Sequence, residues 1–359
     1  GSVVAIDPAT GEVLVMVSAP SYDPNLLAGK NFGKYFEQIK NDTTAPLFNR
    51  AIQAKYPPGS IFKTVQALIA LDEGVITTDE KMKVTLGKIG DHAPAGMYDV
   101  TRGIELSSNN YFHEVMRRIV VQGRAESYFT DSHLGMDQWA EAVRKFGFGN
   151  KLGLDIRGEE AGLVPDTEYY DRMYPKEKGS WAYSTVFSLS IGQGELLVTP
   201  LQVANLAAII ANRGYYITPH LVKEIEQNGE KTKLEFETHF TGKGDEYYPA
   251  IIEGMVRAVK GTAQRAVIPD ITIAGKTGTA ENGKKDETLD HSVFMAFAPA
   301  ENPRIAIAVY TENAGWGGRA SGVTASLIIE KYIRGYIEKR RLYLEDYITE
   351  KKYLEDLIN

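Results

Sequence analysis

The chain contains no cysteine, which removes disulfide bridges, thiolate metal sites and cysteine nucleophiles together and leaves the cellular compartment open. It has no apolar run approaching the roughly 20 residues that span a bilayer. It opens directly in a strand-like segment without a charged and apolar leader, so it reads as an excised domain, and a missing anchor then says nothing of where a full protein would live. No long basic run occurs, and 40 Lys and Arg against 47 Asp and Glu give a net charge of -7. That balance gives no reason to expect a nucleic-acid partner, and an anionic substrate would need a local cationic site. Internal repeats and low-complexity tracts are also lacking. What remains is 359 residues of 43% hydrophobic content, enough to bury one large core or two modest ones.

Strand-like runs gather at the two ends of the chain. Val3 to Asp7 and Val13 to Val17 flank Pro8-Ala9-Thr10-Gly11-Glu12 and predict a β-hairpin. Ile271 to Ala280, Ser292 to Ala298 and Ile305 to Tyr310 predict three more strands, so the sheet is expected to draw on both ends. Between them the pattern is helical. Thr199 as N-cap, Pro200 at the first helical position and Gly214 at the end bound one helix; Trp139 to Phe146 reads as a short one, and Gly254 to Lys260 lies in a third helical region. Ile333 to Leu357 interleaves apolar residues with charges and predicts a solvated terminal helix or helical pair. A polar loop is expected at 282–287.

Ser60 and Lys63, in Tyr56-Pro57-Pro58-Gly59-Ser60-Ile61-Phe62-Lys63, are the first candidates for chemistry. Pro57, Pro58 and Gly59 end any preceding element, and the apolar run to Asp72 predicts a helix with Ser60 at its N-terminus. Residues three apart then share a face, which puts an amine beside a hydroxyl. A serine hydroxyl needs a base, and a lysine becomes one when desolvation or nearby positive charge lowers its pKa. Alone, the pair reads first as an N-cap and a solvated first-turn lysine, since Ser-x-x-Lys occurs by chance in most long chains.

Two later stretches complete an ordered trio, Ser-x-x-Lys, Ser-x-Asn and Lys-Thr-Gly: Ser107-Ser108-Asn109, then Lys276-Thr277-Gly278-Thr279. Asn109 would hold a substrate amide and Lys63 together while Ser107 relays a proton; the same residues also suit a turn or cap, and Ser108-Asn109-Asn110 fits the pattern in a second register. Lys276 would supply positive potential and Thr277 or Thr279 a hydroxyl for a carboxylate. Gly278 admits a close backbone, and the Thr279 and Ser60 N–H groups would form an oxyanion hole. Read by itself, the third stretch is an edge strand entering a turn.

Over nearly its whole length the chain resembles the transpeptidase domain of class B penicillin-binding proteins. The likeness rests on Val4-Ala5-Ile6-Asp7-Pro8, Thr10-Gly11-Glu12-Val13-Leu14, Pro20-Ser21-Tyr22-Asp23-Pro24-Asn25, Asn49-Arg50-Ala51, Ser190-Ile191-Gly192-Gln193-Gly194-Glu195 with Val198-Thr199-Pro200-Leu201-Gln202, and Ala274 to Glu281. The Pro20 to Asn25 stretch and the Phe297 to Asn313 stretch look most like penicillin-binding protein 2, the elongation enzyme. The resemblance implies a mixed α/β (α+β) fold, in which a five-stranded antiparallel sheet flanked by helices lies beside a mainly helical subdomain, as in penicillin-binding proteins and serine β-lactamases. In this single domain the sheet part would take about 1–45 and 250–335, the helical part about 46–249, and a charged helical tail about 336–359.

By the same resemblance, Ser60 attacks the D-Ala-D-Ala carbonyl of a peptidoglycan stem peptide, and an amine of a neighbouring stem takes the acyl group. Lys63 serves as base, Ser107 and Asn109 as relay and clamp, and Lys276, Thr277, Gly278 and Thr279 bind the substrate. β-Lactams would acylate Ser60. No cofactor is implied; the implied partners are a cell-wall glycosyltransferase and elongation-complex proteins, at the periplasmic face of the inner membrane. Some relatives carry a zinc site of Asp, His and Cys before the Ser-x-Asn motif. Here Gly90-Asp91-His92-Ala93-Pro94 has one His and no thiolate, so a solvated loop is preferred over a metal site at Asp91, His92 and Asp99. Two other functions use the same motifs: a serine β-lactamase or β-lactam sensor, and an inactive binding module of the same fold.

Overall fold

A computed structural model of the chain describes residues 1–87, 89–175, 180–280 and 290–355. Five strands, β1 (Ser2–Ile6), β2 (Val13–Ser18), β3 (Ala274–Ala280), β4 (His291–Ala298) and β5 (Ile305–Thr311), pair antiparallel in the spatial order β2-β1-β5-β4-β3. Both chain ends therefore build one sheet, as the sequence predicts, and β3 is left as an edge. The central strands are apolar without a break because both faces are covered. Val293, Met295 and Phe297 join one core with Ala306, Ala308 and Tyr310, while Phe294, Ala296 and Ala298 join a second with Ile305, Ile307 and Val309. Side chains alternate across a strand, so one continuous run fills two cores.

The helices that position the site are α1 (Lys63–Asp72), α2 (Val100–Glu105), α3 (Asn109–Val120), α4 (Tyr128–Arg144), α5 (Pro200–Ala211), α6 (Tyr248–Gly261) and α7 (Ala320–Arg334). All twelve residues of α5 are buried, and it packs across β1, β4 and β5. Thr199 and Gln202 cap it reciprocally, the Thr199 hydroxyl accepting from Gln202 N and Gln202 Oε1 accepting from Thr199 N. On the opposite face α7 packs against β4 and β5, and α6 lies along β3 and α2.

Three expectations change. Ser60 does not cap a helix: a 3-10 turn, Gly59–Phe62, precedes α1. The short helix around Trp139 is the 17-residue α4. Its Gly135, which weakens the sequence signal, lies where a Cβ would come within 2.0 Å of Val120 O, so it lets α4 cross the end of α3 at backbone contact. The C-terminal region is also less solvated than its charges suggest. Leu344, Tyr347 and Tyr353 bury against Ala314, Ala320 and Val323, and Arg341 Nε donates to the fully buried Glu330 at 2.7 Å. The polar stretch 282–287 lies outside the described residues.

Candidate active site

The turn bearing Ser60 is wedged between two backbones. Gly59 takes φ +59°, and a Cβ there would come within 2.6 Å of Thr279 O on β3. Its N–H donates to Gly192 O at 2.9 Å, and Gly192, itself at φ +72°, would meet Gly59 O at 2.2 Å if it carried a Cβ. Only glycine satisfies both contacts, since φ is in the left-handed region and no room is left for a side chain. In a 3-10 turn residues i and i+3 eclipse, which aligns Ser60 with Lys63, the first residue of α1.

Lys63 is completely buried, and so is Lys276, which reaches the same point from β3. Lys63 Nζ lies 2.6 Å from Ser107 O, 2.5 Å from Asn109 Oδ1 and 3.3 Å from Ser107 Oγ. Lys276 Nζ donates to Ser107 Oγ at 2.8 Å and to Thr277 O at 3.2 Å. Among the described residues neither lysine bonds to Ser60. Burial first, then the neighbouring Lys276 charge, hold the Lys63 amine well below the usual lysine range, while Asp91 pulls the other way. Burial pushes Lys276 down to about 7. A neutral Lys63 that donates to Ser107 O and Asn109 Oδ1 keeps its lone pair for a proton.

The Ser-x-Asn register resolves in the geometry. Ser107, at φ +55°, turns its hydroxyl to the two lysines. Ser108 instead caps α3, accepting from Tyr111 N at 3.2 Å and donating to Asp91 Oδ2 at 2.8 Å. Asn109 donates through Nδ2 to Gly90 O at 2.6 Å, leaving Oδ1 on Lys63.

Ser60, Ser107, Asn109, Thr277, Gly278 and Thr279 line one cleft of about 600 Å³ between the helical part and the edge of β3. The two lysines lie behind its wall. Sequence reasoning assigned no role to Gln193 and Trp316, which also line the cleft, and weighed His92 only for a metal. Gln193 donates to Thr279 O at 3.1 Å, tying the Ser190 to Glu195 stretch to β3. His92 and Trp316, from opposite walls, approach to 6.1 Å between ring centroids. The Gly-rich sequence around Gly192 and the Gly317-Gly318 pair carry the signal of close approach; the aromatic pair has none.

A second tie joins stretches far apart in sequence. Arg50 Nε lies 3.2 Å from Glu312 Oε1, and Tyr56 donates to the same oxygen at 2.5 Å while its ring stacks on Tyr310. The segment entering the Ser60 turn is thereby fastened to β5. The residues weighed for a metal and set aside in the sequence do not converge as ligands: Asp91 is occupied by hydrogen bonds, Asp99 caps α2 through Arg102 N at 2.8 Å, and His92 packs on Trp316. Among the described residues no group of three or more His, Cys, Asp or Glu suits a metal ion. Asp91 is also not the solvated loop residue that the sequence suggested.

Residues 1–330 match the family model described as penicillin binding protein transpeptidase domain. The chain is 34% identical over 354 residues to the peptidoglycan D,D-transpeptidase MrdA of Acinetobacter baumannii, covering 89% of this chain and 49% of that protein. It thus spans about half the length of the curated relatives it matches. Among solved structures, the complex between PBP2 and MreC from Helicobacter pylori is similar at 27% identity and TM-score 0.75, covering 94% of this chain and 61% of the other. The imipenem acyl-enzyme of penicillin-binding protein A from M. tuberculosis is similar at 28% identity and TM-score 0.71, covering 91% and 73%. With the motif trio assembled at one cleft, these matches establish that the chain belongs to the penicillin-binding protein transpeptidase family.

Proposed function

We propose that this chain is the D,D-transpeptidase domain of a cell-wall enzyme and cross-links peptidoglycan stem peptides through an acyl-enzyme on Ser60. The observation that carries the reading is the convergence of two buried amines, Lys63 and Lys276, on Ser107 beside the cleft that Ser60 lines. Neutral Lys63 takes the Ser60 Oγ proton as the Oγ–C bond forms at the penultimate D-Ala carbonyl. The resulting oxyanion takes hydrogen bonds from the Ser60 and Thr279 backbone N–H groups. As the C–N bond to the terminal D-Ala breaks, the proton passes from Lys63 through Ser107 to the leaving amine. An amine of a second stem then attacks the ester, gives its proton to Lys63, and Ser60 Oγ recovers a proton as the cross-link forms. Asn109 clamps the substrate amide, and Lys276, Thr277 and Thr279 receive the carboxylate where Gly278 lets the substrate backbone approach. Every bond and proton balances without a cofactor.

β-Lactams acylate the same Ser60. The likeness to the PBP2 complex with MreC supports a partner of that kind; the role in cell elongation, the glycosyltransferase partner and the periplasmic face of the inner membrane belong to the proposal through the family resemblance. Among the described residues no helix is long and apolar enough to cross a membrane. The whole chain acts as one domain, with sheet residues from about 1–45 and 250–335, a helical part of about 46–249 and a tail of about 336–359. The test is mass spectrometry of the penicillin adduct with site mapping. A single adduct on Ser60 that persists for hours supports the reading; turnover within seconds, or no adduct, overturns it.

A further inference from the structure

Three donors meet on one oxygen of Asp91. Ser108 Oγ and Asn110 N each lie 2.8 Å from Asp91 Oδ2, and Asn110 Nδ2 lies 3.1 Å from it. The other oxygen accepts from Ala93 N at 3.0 Å, which folds the loop back on itself. The neighbouring carbonyls of the same loop serve the same turn, Ile89 O accepting from Asn110 Nδ2 at 3.1 Å and Gly90 O from Asn109 Nδ2 at 2.6 Å.

The turn held in this way is sparsely populated for its sequence. Ser107 has φ +55°, a left-handed conformation that is uncommon for a residue with a Cβ and persists only when its surroundings over-determine it. Ser107 and Asn109 face the cleft, and the residues between and after them, Ser108 and Asn110, are buried against Asp91. We propose that Asp91 is a positioning residue whose carboxylate fixes the Ser107–Asn109 turn so that Ser107 Oγ and Asn109 Oδ1 face the two buried lysines. This rests on the transpeptidase reading for its chemistry, but the geometry it explains is independent of substrate.

Asp91 acts on Lys63 in a second way. The charged groups bearing on Lys63 are Lys276, which disfavours its protonated form, and Asp91, which favours it. The hydrogen bonds that Asp91 accepts hold its own carboxyl below the usual range despite partial burial, so the counter-charge is present at neutral pH. Removing that charge while keeping the shape therefore moves the Lys63 titration toward acid.

The test uses the whole chain with Asp91→Asn, Asp91→Glu and Asp91→Ala, and Asp99→Asn as a control that disturbs only the cap of α2. Two readouts are taken: the pH profile of acylation by fluorescent penicillin, and the Lys63 titration followed by ¹³Cε NMR. Asp91→Ala is expected to lower the acylation rate by about 100-fold, the cost of an ångström-scale misplacement, with Asp91→Glu restoring part of it. In Asp91→Asn the acid limb and the Lys63 titration both move to lower pH, and in Asp99→Asn neither moves. Wild-type rates in Asp91→Ala, or an unmoved Lys63 titration in Asp91→Asn, overturn the proposal. If wild type itself is not acylated, the transpeptidase reading fails while the NMR titration still decides the role of Asp91.

Discussion

Lys276 Nζ donates to Ser107 Oγ at 2.8 Å across 169 residues of chain, and that one contact joins the third motif to the second. Lys63 Nζ lies 3.3 Å from the same hydroxyl. Ser107 is therefore the hub of the site, with an amine on either side.

If Ser107 is the relay, Ser107→Ala lowers penicillin acylation by 100-fold or more, within the 10²–10⁴ range typical of positioned proton transfer, and leaves the urea midpoint nearly unchanged. Ser108→Ala does the reverse. It loses a cap, costing about 1 kcal/mol of stability, and lowers acylation less than Ser107→Ala does. Equal acylation losses in the two variants would remove the assignment of the register.

Ser60→Ala abolishes labelling without loss of stability, because the Ser60 side chain makes no hydrogen bond among the described residues and is only partly buried. Lys63→Met keeps most of the volume, removes the amine and abolishes acylation; labelling of this variant at the wild-type rate excludes Lys63 as the base.

Gly59→Ala should be costly in both respects. The new Cβ at φ +59° would press on Thr279 O at 2.6 Å and force β3 away from the Ser60 turn. A stability loss above about 1 kcal/mol and an acylation rate reduced at least tenfold are expected, read by urea unfolding and fluorescent labelling.

Buried Lys276 releases its proton near 7 in the folded chain and near 10.5 by its ordinary value. Between those values the unfolded state binds more protons, so stability contributed by this group rises with pH from about 7 to about 10. Below 7 both states are protonated and the buried charge is opposed in full. Urea midpoints at pH 7 and pH 9 check the sign, and Lys276→Met should flatten the slope; an equal slope in wild type and variant excludes this origin.

Arg341→Ala leaves Glu330, with no exposure, short of the guanidinium that lies 2.7 Å away. Breaking a buried pair by removing one partner costs about 3–5 kcal/mol, although Arg334 at 3.2 Å retains part of the compensation here. A loss near 3 kcal/mol by urea unfolding is expected, and a change under 0.5 would show that the tail is not anchored through this pair.

Much of the frame was legible because its signals are local. Unbroken apolar runs mark β4 and β5, Thr199 and Pro200 mark the start of α5, and the order Ser60, Lys63, Ser107, Asn109, Lys276 announces the chemistry. The missed parts depend on neighbours distant in sequence. Nothing local in Gly90-Asp91-His92 shows that the carboxylate braces a turn 17 residues on. Trp316 reads as an isolated aromatic until the cleft sets it opposite His92. The charged tail looked solvated because Arg341 and Glu330 each predict exposure unless paired, and their pairing is a tertiary fact.

Residue type and spacing alone determined that the chain carries a hydroxyl, two amines and an amide in a recognisable order, with strands at both ends to gather them, since these properties are encoded within short windows. Only the tertiary structure decided which serine of Ser107-Ser108 faces the amines. It also decided that burial holds both amines below the usual lysine range and that Asp91 holds the turn between them. Register, desolvation and counter-charge depend on what surrounds a group on every side, and a linear order of residues does not contain that.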